Sequence, residues 1–141
     1  MSRIGTSAWR GSGTAWYPSR AFVGVSRICH VLTSAGRADV ACRLLLQEAF
    51  PSWGYSIIHG ATTIWERWDG WTEHKGFQGV GMSSFNHYTL GSVGEWLRRG
   101  VSGIDADGPG YRQVILAPAM DRASDHAEGW YRSISGEIRS R

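Results

Sequence analysis

The residues most able to do chemistry lie in the segment Gly60–Trp71, which sets Glu66 between Trp65 and Trp68. A carboxylate among aromatic rings is what a glycosidase needs, because rings hold the apolar face of a sugar and partial removal from water tunes the acid. The segment also permits a purely structural interpretation. Thr63-Ile-Trp-Glu66 matches a capping box, in which the glutamate only satisfies a backbone amide at the start of a helix. Capping boxes are the commoner use of this pattern, so the residues alone leave both interpretations open.

A second group of polar and aromatic residues follows at Phe85-Asn86-His87-Tyr88. His87, beside the hydrogen-bonding side chains of Asn86 and Tyr88, could orient a sugar hydroxyl. The commoner alternative is a half-buried helical histidine that donates a hydrogen bond to a carbonyl.

Other chemistries find little support in the sequence. Four histidines are candidate metal ligands, and their spacing matches no common metal motif: His59, His74, His87 and His126. No nucleophile elbow or glycine-rich phosphate loop occurs, and Cys29 and Cys42 fall inside helical apolar patterns. We therefore expect no metal site, and two buried thiols rather than a disulfide.

The elements that position these residues begin with two helices. Apolar residues at helical spacing from Ala21 onward predict the first helix, and Gly36 suits its C-terminal cap. A second helix is predicted from about Asp39 through Ala49, where Pro51 forbids continuation. The short link at Ser34–Arg37 makes the two an antiparallel helical hairpin.

Later elements change from helix to strand. No long helix fits residues 52–81, and a third helix is predicted from Ser84, with Phe85, Tyr88, Ser92, Trp96 and Val101 on one stripe. A turn-rich link follows at 105–110, and a strand is predicted over 112–117. Residues 130–133 and 137–140 predict a β-hairpin. Helices followed by strands indicate an α region that precedes the opening of a β domain.

Composition limits the class of protein further. The chain has 141 residues, a formal charge of +3 and scattered arginines, which argues against a nucleic-acid-binding surface. The sequence contains no run of about 18 apolar residues, so no membrane span is expected. Residues 1–19 contain no continuous apolar region typical of a signal peptide, so a cytoplasmic protein is favoured.

From about Ala21 the chain resembles the end of the catalytic domain of bacterial α-L-rhamnosidases, the family-78 glycoside hydrolases. The similarity is carried by segments in a fixed order: 36–37, 44–47, 51–55, 59–70, 84–88, 91–97, 101–104 and 108–111. Each segment is weak alone, and together they are specific.

The resemblance implies a fold, a reaction and two site residues. The fold is mainly α, the last helical hairpins of an α/α six-hairpin barrel, followed by the first strands of a β-sandwich. The reaction is hydrolysis of terminal α-L-rhamnosyl groups from glycosides with inversion, without a metal or organic cofactor. The resemblance makes Glu66 the general base that activates water, and His87 a ligand of L-rhamnose.

The resemblance also implies what the chain lacks. Inversion needs a second, protonated carboxyl group, which in the family lies far upstream in the barrel. Asp69 and Glu73 lie on the same local segment as Glu66, and reaching both faces of a sugar from one loop is geometrically implausible. We therefore expect a truncated protein that retains the base and lacks the acid, unless a partner chain completes the barrel.

The chain divides into three predicted parts. Residues 1–20 are expected to be irregular and unlike the family, 21–104 to form part of the six-hairpin domain, and 105–141 to begin the β-sandwich. Two other functions remain open on the sequence, a non-catalytic carbohydrate-binding module and an inactive remnant that does not fold alone.

Overall fold

A computed structural model describes residues 22–119 and 126–141 of the chain. The irregular segment expected at 1–20 lies outside the described residues. The first two helices are α1, Phe22–Ser34, and α2, Ala38–Leu46. Gly36 ends α1 in the left-handed region at φ 73°, and the Arg37 amide donates to the Leu32 carbonyl at 2.8 Å. The predicted helical hairpin and its glycine cap are confirmed.

The core of this hairpin is built from small side chains and one large indole. Cys29, Ala41 and Cys42 are buried against Trp96, which is 1% exposed and donates from Nε1 to Thr33 Oγ1 at 2.9 Å. Burial raises the pKa of the Cys29 thiol, and the nearby Cys42 adds to this shift. Both cysteines are buried and form no disulfide in the described structure, as expected.

The second helix ends earlier than predicted. It stops at Leu46 rather than Ala49, because Gln47 adopts an extended backbone and its side-chain amide donates to the Ala49 carbonyl at 3.1 Å. The chain then folds back so tightly that a Cβ atom on Gly54 would lie 2.3 Å from the Gln47 carbonyl oxygen. Only glycine permits this approach.

A short helix follows this turn. It is α3, Trp53–Ile58, and Ser52 caps it by accepting the Tyr55 amide at 2.9 Å. Its length of six residues agrees with the expectation that no long helix occupies residues 52–81.

The third predicted helix begins four residues later than expected. Helical structure comprises α4, Tyr88–Gly91, then α5, Val93–Trp96, and a π-helical turn at Leu97–Val101. The prediction that it starts at Ser84 is wrong, because residues 84–87 form backbone bonds with residues 64–66 instead. His87 is therefore the N-cap of α4, outside the helix.

In the part of the chain that the structure describes, six short strands pair as three separate antiparallel hairpins. They are β1, Trp71–Thr72, with β2, Gly76–Phe77; β3, Ile104–Ala106, with β4, Val114–Leu116; and β5, Gly129–Ser133, with β6, Gly136–Ser140. The predicted strand at 112–117 and the last hairpin are confirmed. The expectation that 105–110 is only a turn is corrected, because Asp105 and Ala106 pair with β4.

Cationic side chains join the helical part to the strands. Arg99 pairs with Asp105 on β3 at 2.7 Å and with Glu95 at 2.8 Å. The Arg98 guanidinium lies 5.6 Å from the ring centroids of both Tyr111 and Tyr131. Of the helices in the described ranges, none combines the length and apolar character needed to cross a bilayer.

Candidate active site around Glu66

Two neighbouring segments of irregular backbone hold the candidate site. Residues 61–70 form a loop between α3 and β1, and residues 83–87 precede α4. The Glu66 amide donates to the Ser84 carbonyl at 2.8 Å, and the His87 amide donates to the Ile64 carbonyl at 2.9 Å. These two bonds set the segments side by side, which brings together two side chains that are distant in sequence.

The carboxylate of Glu66 is held from the second segment. Its Oε2 accepts the Ser84 amide at 2.9 Å, so Glu66 and Ser84 are joined by a reciprocal pair of hydrogen bonds. The side chain is 18% exposed. The capping-box interpretation is wrong, because residues 61–70 form a loop and the amide bound to the carboxylate lies in the other segment.

His87 connects this carboxylate to the start of α4. Its Nδ1 accepts the Thr89 amide at 3.3 Å, which makes the imidazole the N-cap of the helix. A nitrogen that accepts an N–H carries no proton, so the neutral ring carries its proton on Nε2. That nitrogen lies 3.7 Å from Glu66 Oε1. His87 is half-buried, as the alternative interpretation expected, but it precedes the helix rather than lying within it.

Aromatic side chains on either side of Glu66 pack against rings of neighbouring segments. Trp65 is 7% exposed and packs edge-on against Phe85 at 5.7 Å. Trp68 packs edge-on against the buried Trp53 at 5.1 Å, and Trp53 Nε1 donates to the Leu90 carbonyl at 3.0 Å. These contacts fix the backbone on both sides of Glu66.

Ser84 is a site residue that the sequence did not predict. Its contribution is made by its backbone amide and carbonyl, which any residue type except proline could supply in full. The only sequence signal was its position at the start of the Ser84–Tyr88 segment.

The neighbouring acids occupy other positions. Both oxygens of Asp69 accept from Arg67, at 2.9 and 2.8 Å, as a bidentate pair. Glu73 is exposed in the turn between β1 and β2. Within residues 22–119 and 126–141, no three histidine, cysteine or acidic side chains cluster closely enough to hold a metal ion.

Two cavities adjoin the loop. One, of about 270 Å³, is apolar and lies between α3 and the helices from 88 onward. The other, of about 250 Å³, is lined by aromatic rings and by Thr62 and Thr63. Trp65 lines both cavities, whereas Glu66 and His87 line neither.

Two family models match adjacent parts of the chain. Residues 13–101 match the bacterial alpha-L-rhamnosidase 6 hairpin glycosidase domain, and residues 103–141 match the bacterial alpha-L-rhamnosidase C-terminal domain. The helices therefore belong to the last hairpins of an α/α six-hairpin barrel and the later strands to the β domain, which confirms the predicted fold class. The division predicted at residues 20 and 104 stays a prediction.

Curated relatives described as alpha-L-rhamnosidases come from three bacteria. An alpha-L-rhamnosidase of Streptomyces avermitilis is 46% identical over 126 residues, which are 89% of this chain and 12% of that protein. The alpha-L-rhamnosidases of Alteromonas sp. and Formosa agariphila are 40% and 38% identical, over 83% and 84% of this chain and 13% of each protein. The chain thus spans about an eighth of the length of these relatives.

Solved structures agree with the sequence comparison. Streptomyces avermitilis alpha-L-rhamnosidase complexed with L-rhamnose matches with a TM-score of 0.76 and 47% identity, over 84% of this chain and 12% of that one. A native rhamnosidase from Aspergillus terreus matches with a TM-score of 0.71 and 32% identity, over 84% of this chain and 14% of that one.

Proposed function

The chain belongs to the bacterial α-L-rhamnosidase family, and on that premise we propose that it supplies the base half of an inverting rhamnosidase site. Glu66 is the general base and His87 is a ligand of the rhamnosyl group. The observation that carries the proposal is the pairing of these two side chains, with Glu66 Oε1 3.7 Å from His87 Nε2.

The geometry suits a carboxylate that takes a proton from water. The Ser84 amide occupies Oε2 and leaves Oε1 toward the imidazole. A carboxylate with one oxygen held by a backbone amide can use its other oxygen to orient a water molecule and accept its proton. The Nε2 side of the His87 ring, which faces Oε1, can donate to a sugar hydroxyl that lies beside that water.

The acid of the reaction must come from elsewhere. An inverting glycosidase needs a second carboxyl group about 6.5–9.5 Å from the base, across the sugar. Asp69 is bound on both oxygens by Arg67, and Glu73 lies in an exposed hairpin turn. We therefore assign the acid to the rest of the six-hairpin domain, carried in a longer protein or in a partner chain.

Complementation tests this proposal. The 141-residue chain alone should hydrolyse an aryl α-L-rhamnoside little or not at all, and mixing it with the upstream part of a six-hairpin domain should produce turnover. That turnover should disappear with Glu66→Gln and persist with Glu73→Gln, the matched control at an exposed acid. Hydrolysis by the isolated chain that depends on Glu66 would show that an acid is present after all. Turnover in the mixture that survives Glu66→Gln would remove Glu66 as the base.

A non-catalytic sugar-binding role is the second candidate, and the preformed Glu66–His87 pair favours it. It predicts that L-rhamnose quenches tryptophan fluorescence of the isolated chain, while the complemented mixture still shows no hydrolysis. An inactive remnant would instead show neither quenching nor a cooperative thermal transition in near-UV dichroism.

A further inference from the structure

Tyr88 presents a large ring to solvent beside the candidate site. It is 81% exposed, although it begins α4, whose next two residues, Thr89 and Leu90, are buried. A single exposed apolar side chain needs no explanation by itself. The ring of Tyr88, however, is stacked on the imidazole of His87, with 4.8 Å between the centroids and 27° between the planes. The exposed ring therefore has a specific neighbour.

The imidazole that Tyr88 covers is the one that faces the candidate base. His87 Nε2 lies 3.7 Å from Glu66 Oε1, and the two side chains are 24% and 18% exposed. Tyr88, His87 and Glu66 thus form a connected series, in which the tyrosine ring is one neighbour removed from the carboxylate. Any effect of Tyr88 on the base or on a sugar beside it would pass through the imidazole.

The hydrogen bond at Nδ1 leaves the plane of this imidazole adjustable. Nδ1 accepts the Thr89 amide at 3.3 Å, which is longer than most hydrogen bonds of a backbone amide. Histidine has broad energy minima about its second side-chain torsion, so the ring can tilt about one bonded nitrogen. Stacking on a flat ring restricts that tilt, because the two planes must stay nearly parallel to keep their contact. The Tyr88 ring and the Thr89 amide therefore restrain His87 in different directions.

We propose that Tyr88 is a positioning residue for His87, whose ring it holds so that Nε2 faces Glu66 and a bound rhamnosyl group. Tyr88 acts through the imidazole, so its aromatic ring matters and its hydroxyl does not. Because so much of Tyr88 is exposed, removing it takes little apolar surface from the core and should leave the fold intact. The inference rests on the proposed function, which makes His87 a ligand of the sugar.

Nuclear magnetic resonance of the imidazole nitrogens tests the positioning without any sugar. Two-bond ¹H–¹⁵N spectra of the 141-residue chain at about pH 8, above the ordinary histidine pKa of about 6.5, distinguish a nitrogen that carries a proton from one that does not. The original chain should show His87 with its proton on Nε2. In Tyr88→Ala and Tyr88→Leu the two nitrogen signals should move toward each other, because a ring that leaves the Thr89 amide exchanges its proton between both nitrogens. Tyr88→Phe should keep the original spectrum.

Binding of L-rhamnose, measured by isothermal titration calorimetry, tests the consequence for the site. Tyr88→Ala and Tyr88→Leu should weaken binding about fivefold, whereas Tyr88→Phe should bind like the original chain. Trp130→Ala is the matched control, since Trp130 is also an exposed aromatic residue, at 67%, and lies on β5, outside the segments that hold Glu66 and His87. Urea midpoints of all four variants should be close to one another.

Three results would overturn the inference. The nitrogen signals of Tyr88→Ala and Tyr88→Leu could match those of the original chain, or Tyr88→Phe could behave like Tyr88→Ala, and in either case the ring does not hold the imidazole. A urea midpoint of Tyr88→Ala and Tyr88→Leu far below that of Trp130→Ala would instead assign Tyr88 to the fold. Binding of L-rhamnose that both variants leave unchanged, while His87→Asn abolishes it, would show that the sugar does not require a fixed ring.

The proposed function is judged separately by His87→Asn. Loss of L-rhamnose binding in this variant supports His87 as a ligand of the sugar, whatever the Tyr88 variants do. If His87→Asn binds L-rhamnose like the original chain, or if the original chain does not bind it, His87 loses that role. The nitrogen signals then still decide whether Tyr88 orients the imidazole.

Discussion

His87 Nε2 lies 3.7 Å from Glu66 Oε1, while Nδ1 on the same ring accepts the Thr89 amide at 3.3 Å. One imidazole therefore caps a helix with one nitrogen and faces the candidate base with the other. The position of Glu66 is thereby linked to the first turn of α4.

Two replacements of His87 separate its role as helix cap from its contact with Glu66. In His87→Asn, the side-chain carbonyl can replace Nδ1 as the cap, so stability should stay close to the original while L-rhamnose binding is lost. In His87→Gln, the longer amide can replace the Nε2 donor, so binding should be partly kept while loss of the cap costs about 1 kcal/mol. Urea unfolding and tryptophan quenching by L-rhamnose measure the two effects. Equal effects of both variants on both measurements would show that the two nitrogens have no separate roles.

The capping hydroxyl of Ser52 should be worth more than an exposed serine hydroxyl. Ser52 is 3% exposed and its Oγ accepts the Tyr55 amide at the start of α3. Ser52→Ala should lower the free energy of unfolding by about 1 kcal/mol in urea titrations. Ser34→Ala is the control, because the exposed Ser34 hydroxyl donates only to the His30 carbonyl in its own helix. A Ser52→Ala midpoint equal to that of the control would contradict the capping assignment.

The buried hydrogen bond between Trp96 and Thr33 gives a third prediction. Thr33→Val keeps the shape of the side chain and leaves the Trp96 indole N–H buried without its acceptor. The variant should be destabilised by about 1–3 kcal/mol, as expected for a buried donor that loses its partner. The exposed Thr63→Val serves as the matched control in thermal unfolding. Destabilisation no greater than that of the control would show that the indole N–H finds another partner.

Stability should fall in acid partly through Asp39. Its hydrogen bond to Arg37 lowers the pKa of Asp39 to about 2 from an ordinary value of 3.8. Because the folded-state pKa lies below the unfolded one, the stabilisation is present above pH 4 and is lost as the pH falls toward 2. Glu95 and Asp105, each bonded to Arg99, have a lowered pKa and act in the same direction.

Urea midpoints measured between pH 5 and pH 2 test this assignment. The decrease should be shallower in Asp39→Asn and in Arg37→Gln, since each variant removes the same hydrogen bond. Slopes identical to that of the original chain would exclude the pair as a source of acid sensitivity.

The parts of the fold that sequence predicted well are those with strong local signals. Gly36 readily takes the left-handed backbone that ends α1, as glycine does. The turn at 134–136 separates two segments of alternating pattern, which pair as β5 and β6. The errors occur where tertiary contacts outweigh local pattern. Ser84 has a helical sequence context but bonds to Glu66 instead, and Ile104–Ala106 becomes a strand only because β4 lies beside it.

The candidate site was predictable by family resemblance and not by local pattern. Spacing alone favoured a capping box for Glu66, and nothing in the residues between 66 and 87 indicated that Glu66 and His87 would meet. Their contact depends on backbone bonds at Ile64 and Ser84, which side-chain identities do not reveal.

Those same backbone bonds keep Glu66 and His87 within one short segment of the chain. The segment from Ile64 to His87 closes on itself through its own amides and carbonyls, and Trp53 and Thr89 hold it from outside. A recombination event or a design that transplants this stretch would carry the proposed base and its imidazole neighbour together, and the proposed mechanism would then require a proton donor from the recipient scaffold.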